Sequence, residues 1–275
     1  MAIVTISHEM GAGGPEIGTA LAEALGYHYV DQELLSEAAH RYGLLEEKLS
    51  HLEEAKPSLF ERFDTETRRY ITVIQTALYE FAEHDNVVLM GRGGQWLLRG
   101  IPHVLRGRLM APFELRVKRL SKKLSRQMGE GANPRTVAEM VRRDDSEKSG
   151  RMRYLYEVDL HDPALYDVVI STEKLTADAA VDLLAGLVRC PELATTEAGR
   201  QLVADRALAS KVQVALATHP ETRKYRITVE AKHGVVTLEG TSALEQAVEV
   251  AKGVEGVVEV KAQQVEIPPI PPFVA

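Results

Sequence analysis

A single cysteine, Cys190, is all the thiol chemistry this chain offers. One thiol forms no intramolecular disulfide, which excludes a disulfide-built scaffold and fits a reducing compartment. Its place near a helix end suits a small buried hydrophobe better than a nucleophile. Positive charge is in deficit: 33 lysines and arginines face 40 aspartates and glutamates, a formal net charge of −7. That balance argues against a general nucleic-acid coat, and no nucleic-acid partner is expected. No apolar run approaches the roughly 18 residues of a membrane span, and the N-terminus lacks a basic region followed by an apolar stretch. The chain reads as soluble and cytoplasmic. HExxH and CxxC are missing, and the histidines beyond His8 lack metal-ligand spacing, so no metal site built from protein side chains is assigned.

What is present starts at residue 3. Ile3-Val4-Thr5-Ile6 reads as a buried strand, Gly11-Ala12-Gly13-Gly14 as a turn, and Pro15 to Leu25 as an amphipathic helix. Strand, glycine turn, helix is the order that builds an anion cradle. Glycines let consecutive N–H groups converge, and the helix N-terminus adds partial positive charge. The match to the P-loop pattern G-x-x-x-x-G-K-[ST] is incomplete: Gly14 occupies the lysine position, and neither Pro15 nor Glu16 after it supplies the hydroxyl. On these residues alone, a turn that only lets strand and helix pack closely competes with a phosphate site.

At 275 residues the length favours two domains. Further apolar strands are expected at 27–30, 86–91, 104–111 and 166–171. Helices are expected between them at 32–42, within a helical hairpin at 44–84, from Pro112, from Pro134, and at 177–188. Continuous apolar strands alternating with helices indicate a parallel sheet covered on both faces. Composition shifts at Cys190-Pro191, and 191–204 reads as a linker. Beyond it, helix 205–218, strands from Tyr225 and Val235, helix 244–252 and a strand from Gly256 give an α-β-β-α-β order, with a turn at His233-Gly234. The division is thus 1–190, linker 191–204, second domain 205–267 and a Pro-rich tail 268–275.

Arginines cluster after three elements of the first domain: Arg92, the pair Arg116 and Arg119, and the segment 142–153. Phosphoryl transfer needs positive clamps around oxygens more than covalent chemistry, and the arginine fork suits that task. Arg-Asp-Asp followed by Lys148, Arg151 and Arg153, with Ser149-Gly150 among them, reads as a mobile lid loop. His8 and Glu9 stand where the first strand ends, placed for a hydrogen bond and a hydrated metal respectively. Asp31 follows a strand at the crevice edge; a sugar hydroxyl, a base, metal-bound water or a helix cap all explain it.

Residues 1 to about 190 resemble the cytidylate-kinase-like family of the nucleoside-monophosphate-kinase fold. The resemblance rests on Ile6–Gly18, Tyr29–Leu34 (Tyr-Val-Asp-Gln-Glu-Leu), Val88–Gly93 (Val-Leu-Met-Gly-Arg-Gly), Ala111-Pro112 with Arg116 and Arg119, Arg143-Asp144 with the basic residues after them, and Tyr166–Thr172. It implies an α/β fold with a P-loop-type parallel sheet and helices on both faces. It also implies ATP with Mg²⁺, the ion held mainly by nucleotide phosphates and water, and transfer of the γ-phosphate to CMP, dCMP or a related acceptor. The implied ATP phosphate site is His8, Gly11, Ala12, Gly13, Gly14, Pro15 and Glu16. Asp31 and Arg92 are implied at the acceptor nucleotide, and Arg143, Arg151 and Arg153 in the catalytic lid. Glu9, Arg116, Arg119 and Asp144 are implied as further nucleotide contacts. Family members usually carry arginine where His8 and Pro15 stand, so a nucleotide-binding sensor without turnover is the alternative. Residues 205–267 resemble a BON domain through Val235–Gly240 and Val254–Val260. That resemblance implies a phospholipid surface or a protein as partner.

Overall fold

The computed structural model describes residues 2–31, 40–42, 65–91, 93–128, 131 and 133–265. Most of the expected helix 32–42, the first half of the hairpin at 44–84, Arg92 and the tail 268–275 lie outside the described residues. Strands β1 (Ile3–His8), β2 (His28–Val30), β3 (Val87–Met90), β4 (Val104–Met110) and β5 (Val168–Ser171) form one sheet in the order β2-β3-β1-β4-β5. Every pairing in it is parallel, with Ile3 opposite Val87 on one side and Val104 on the other.

The alternation of β1 divides two cores. Val4 and Ile6 pack with α1 (Gly14–Leu25) and α6 (Ala177–Val188) through Ile17, Leu21, Ala180 and Leu184. Ile3 faces the opposite layer, where α2 (Thr65–Glu83) brings Tyr70, Val73, Ile74, Ala77 and Leu78 on one helical stripe. The short α3 (Gly94–Leu97) closes that layer after β3. A buried central sheet with helices on both faces makes this an α/β fold of the P-loop type.

Two elements depart from expectation. The segment expected as a mobile lid loop lies inside one 23-residue helix, α5 (Pro134–Tyr156). Asn133 caps its start by accepting from the Arg135 N–H, and Pro134 occupies the first turn without losing a partner. The stretch 191–204, expected as a linker, holds a single 3₁₀ turn and then the first turns of α7 (Glu197–Thr218), which starts at Glu197 rather than Asp205. Helix α7 contributes Val203, Ala207 and Val214 to the core on α2, and Val212 and Leu216 to the core of the second unit.

That second unit is a three-stranded sheet, β6 (Ile227–Lys232), β7 (Val235–Gly240) and β8 (Glu259–Gln264), with α8 (Leu244–Lys252). β6 and β7 are antiparallel across a two-residue turn, His233 at φ 51° and Gly234 at φ 81°, the geometry whose twist matches a hairpin. β8 runs parallel to β7.

Candidate functional site

The glycine turn leaves β1 at the C-terminal edge of the sheet. Gly13 caps α1 at φ 85°, and Gly11 lies at φ 83°, both left-handed conformations that side chains disfavour. Space excludes side chains here as well. A Cβ on Gly11 would lie 2.7 Å from the Arg116 carbonyl oxygen, and one on Gly14 would lie 2.2 Å from the His8 ring. Over this turn opens a cavity of about 1090 Å³. Gly11, Ala12, Gly13, Pro15 and Glu16 line it, together with His8.

Opposite the turn stands a cation from another element. Helix α5 delivers Lys148, whose Nζ donates to the His8 carbonyl oxygen at 3.1 Å and pairs with Asp144 Oδ2 at 2.9 Å. Both residues line the cavity. Burial of the His8 ring, reinforced by the Lys148 ammonium, pushes its pKa down to about 4, so the imidazole is neutral near pH 7. Helix α4 (Phe113–Met128) adds Arg119, Lys122, Lys123 and Arg126 to the same wall, the i, i+3, i+4, i+7 spacing of one helix face. Arg119 is tied by bonds to the Thr172 hydroxyl and carbonyl at 2.9 and 2.7 Å, and that hydroxyl donates to the Ala12 carbonyl at 3.0 Å.

Glu9 and Arg116 take a different place from the one expected. Glu9 pairs with Arg108 at 3.5 Å and Arg116 at 3.4 Å and accepts the Ala111 N–H at 3.1 Å, and it does not line the cavity. The buried Arg116 forks onto Asp145 at 2.8 and 2.9 Å and donates to the Met10 and Ala111 carbonyls. Glu9 and Arg116 thereby join the glycine turn, β4 and α5 instead of facing a ligand. Arg108, which sequence reading missed, is the third member: it donates to Leu160 O and the Tyr166 hydroxyl, both at 3.1 Å.

The remaining expected residues divide. Asp31 and Arg151 line the cavity. Arg143 does not: its side chain is 79% exposed and pairs with Glu147 one turn along α5. Arg153 is exposed and also absent from the lining. Arg92 is outside the described residues. The lobe of the cavity away from the basic wall is lined by Tyr29, Tyr70, Ile74, Met90, Gln95, Met152 and Tyr156. Among the described residues no three metal-ligating side chains converge, and no helix is long and apolar enough to cross a membrane.

Comparison with known proteins places these features in a lineage. The model of the cytidylate kinase-like family matches residues 3–174, and that of the BON domain matches 204–269. A cytidylate kinase from Methanocaldococcus jannaschii is 29% identical over 189 residues, covering 68% of this chain and 97% of that one. A cytidylate kinase from Staphylothermus marinus is 26% identical over 185 residues, covering 67% and 94%. Among solved structures, an uncharacterized protein from Eubacterium ventriosum superposes with a TM-score of 0.53 at 21% identity, covering 68% of this chain and 97% of that one, which supports the fold. From residue 3 to residue 174, this chain belongs to the cytidylate kinase-like family, and a BON domain follows it.

Proposed function

We propose that this protein transfers the γ-phosphate of ATP to a nucleoside monophosphate, with CMP or dCMP as the preferred acceptor. The observation that carries this reading is Lys148. The glycine turn lacks the lysine of an ordinary P-loop, and α5 delivers an ammonium to the mouth of that turn, 3.1 Å from the His8 carbonyl. Its reach from a separate helix restores the positive charge the turn itself lacks.

In this scheme the N–H groups of Gly11 to Gly14 and the start of α1 receive the donor phosphates. Arg119, Lys122, Lys123 and Arg126 form the positive wall along the donor nucleotide. Asp31 and the lobe around Tyr29, Tyr70 and Tyr156 take the acceptor. An acceptor phosphate oxygen attacks the γ-phosphorus, and the bridging oxygen leaves with ADP. The attacking oxygen is already anionic, so no protein base is required, and the neutral His8 leaves the cradle's charge to Lys148 and Arg151. The cavity fits magnesium carried by the nucleotide: Glu16 and Asp144 are carboxylates on its lining, and the ion would offset phosphate charge there. Asp144 also fixes Lys148 through its 2.9 Å ion pair, which makes it a positioning residue.

ADP release coupled to an indicator, run across CMP, dCMP, UMP and AMP, tests the proposal. ADP formation that depends on both ATP and CMP is the expected result. Release no faster than an acceptor-free control with every acceptor would overturn it and favour nucleotide sensing. We assign contact with a phospholipid surface or a protein partner to residues 205–267, supported by the BON match at 204–269. Flotation with anionic liposomes tests the lipid half of that assignment.

A further inference from the structure

Gln95 presents an unusual combination of burial and incomplete bonding. It sits on α3, just past the C-terminal end of β3, and is 1% exposed. Its Nε2 lies 4.0 Å from Met152 Sδ, while its Oε1 has no hydrogen-bond partner. Yet it lines the cavity, in the lobe away from the basic wall. A buried carbonyl left unpaired is costly, and an apolar residue of the same shape would avoid the cost. On the lining of a cavity, such a group offers a place for a hydrogen-bond donor from outside the chain.

The surroundings define that partner. A thioether sulfur accepts hydrogen bonds and donates none, so Met152 turns the amide nitrogen towards itself and the carbonyl away. The same lobe carries Tyr70, Ile74 and Tyr156, and the Cβ position of Gly93 is 3.0 Å from the Tyr156 ring and 3.5 Å from Met152 Sδ. Flat apolar walls suit a planar ring, and the fixed carbonyl asks that ring for a hydrogen-bond donor.

We infer that Gln95 selects the acceptor base: its Oε1 accepts from an exocyclic amino group, so that an amino base such as cytosine is preferred to its oxo counterpart. Uracil brings a carbonyl to the place where cytosine brings an amino group. It faces Oε1 oxygen to oxygen or forces the amide to turn and forfeit Met152. This inference rests on the kinase reading and extends it to the residue that sets the acceptor.

The test is a comparison of kcat/KM for CMP and UMP in the full-length protein, for the wild type, Gln95→Leu and Gln95→Met, with melting temperatures of all three. The wild type is expected to prefer CMP. Either substitution should lower kcat/KM for CMP by about tenfold, leave UMP nearly unchanged and so collapse the ratio. The KM for ATP should stay constant, and melting should be unchanged or higher because a buried unpaired carbonyl is gone. If turnover is absent but the nucleotides raise the melting temperature, the same ratio is read from those shifts. A CMP-to-UMP ratio unaltered by both substitutions overturns the role of Gln95 and leaves the kinase reading intact. Equal use of the two by the wild type overturns that role and the CMP preference, and leaves phosphoryl transfer to a nucleoside monophosphate standing. Loss of cooperative melting in both variants overturns it too, since the amide would then be structural. A wild type that neither turns over nor binds either nucleotide removes the kinase reading and this inference with it.

Discussion

In the five-stranded sheet, the strand ends and their following loops bury Arg108 and Arg116, each 5% exposed, beside Gln95 and Thr172. In the three-stranded unit, the buried set is Val212, Leu216, Ile227, Val236, Leu238, Ala247 and Ala251. The buried polar residues near it, Ser210 and Thr222, each donate to a backbone carbonyl a few residues away. The first unit holds charge and amide groups where burial is costly: Gln95 and Thr172 on the cavity lining, Arg108 and Arg116 in the network beside it that ties distant parts of the chain together. The second satisfies its few polar groups locally. Buried polarity that converges from distant parts of the chain marks where chemistry is placed, whereas a locally satisfied core marks a scaffold.

The contrast can be broken most forcefully at Arg116. Arg116→Met strands Glu9 and Asp145 without their shared cation, and should cost about 3–5 kcal/mol in urea unfolding. Unchanged stability would mean that the network does not hold the glycine turn to α5. At the apolar pole, the fully buried Leu238→Ala should cost roughly 2–5 kcal/mol while leaving the KM for nucleotides of the folded protein unchanged. A changed KM would show that the second unit feeds into the cavity.

A pH series sharpens the comparison at His8. Its folded pKa of about 4 lies below the ordinary 6.5, so the unfolded chain binds the proton more readily. Stability should therefore fall as the pH drops from about 6.5 to about 4, through this residue, and His8→Asn should flatten that part of the profile. An unchanged slope would assign the acid loss to other groups. The smallest effect is expected at the seam, where Lys211 pairs with Glu83 at 3.2 Å with both side chains about one-third exposed. Lys211→Met should change stability by less than about 1 kcal/mol, because Val203, Ala207 and Val214 hold the seam.

Sequence alone disclosed the strands and the hairpin turn, because each is a local signal: an apolar run, or His233-Gly234 between alternating segments. The first turns of α7 escaped it for a structural reason. That helix packs on two cores at once, Val203 and Ala207 into one and Val212 and Leu216 into the other, so its apolar positions form no single stripe. Ser149-Gly150 suggested a loop, yet one internal glycine costs a helix only about 1 kcal/mol. The Asn133 cap and the Asp144–Lys148 and Arg143–Glu147 pairs sit on the same helix and support it. Continuous helix then decides which side chains reach the cavity: Lys148 and Arg151 do, Arg143 and Arg153 do not. Arg108 was hidden within an apolar strand, its acidic partner 99 positions away. Gln95 carried no sequence signal, because its meaning lies in a missing partner.

The central claim is that an ammonium supplied by α5 completes a phosphate cradle that lacks its own lysine. Single-turnover ADP formation with saturating ATP and CMP, comparing the wild type with Lys148→Ala, tests it most directly. The account predicts measurable wild-type transfer and a fall of about 10²–10³-fold in rate for the variant, with cooperative folding retained. Equal rates for the two proteins would contradict it.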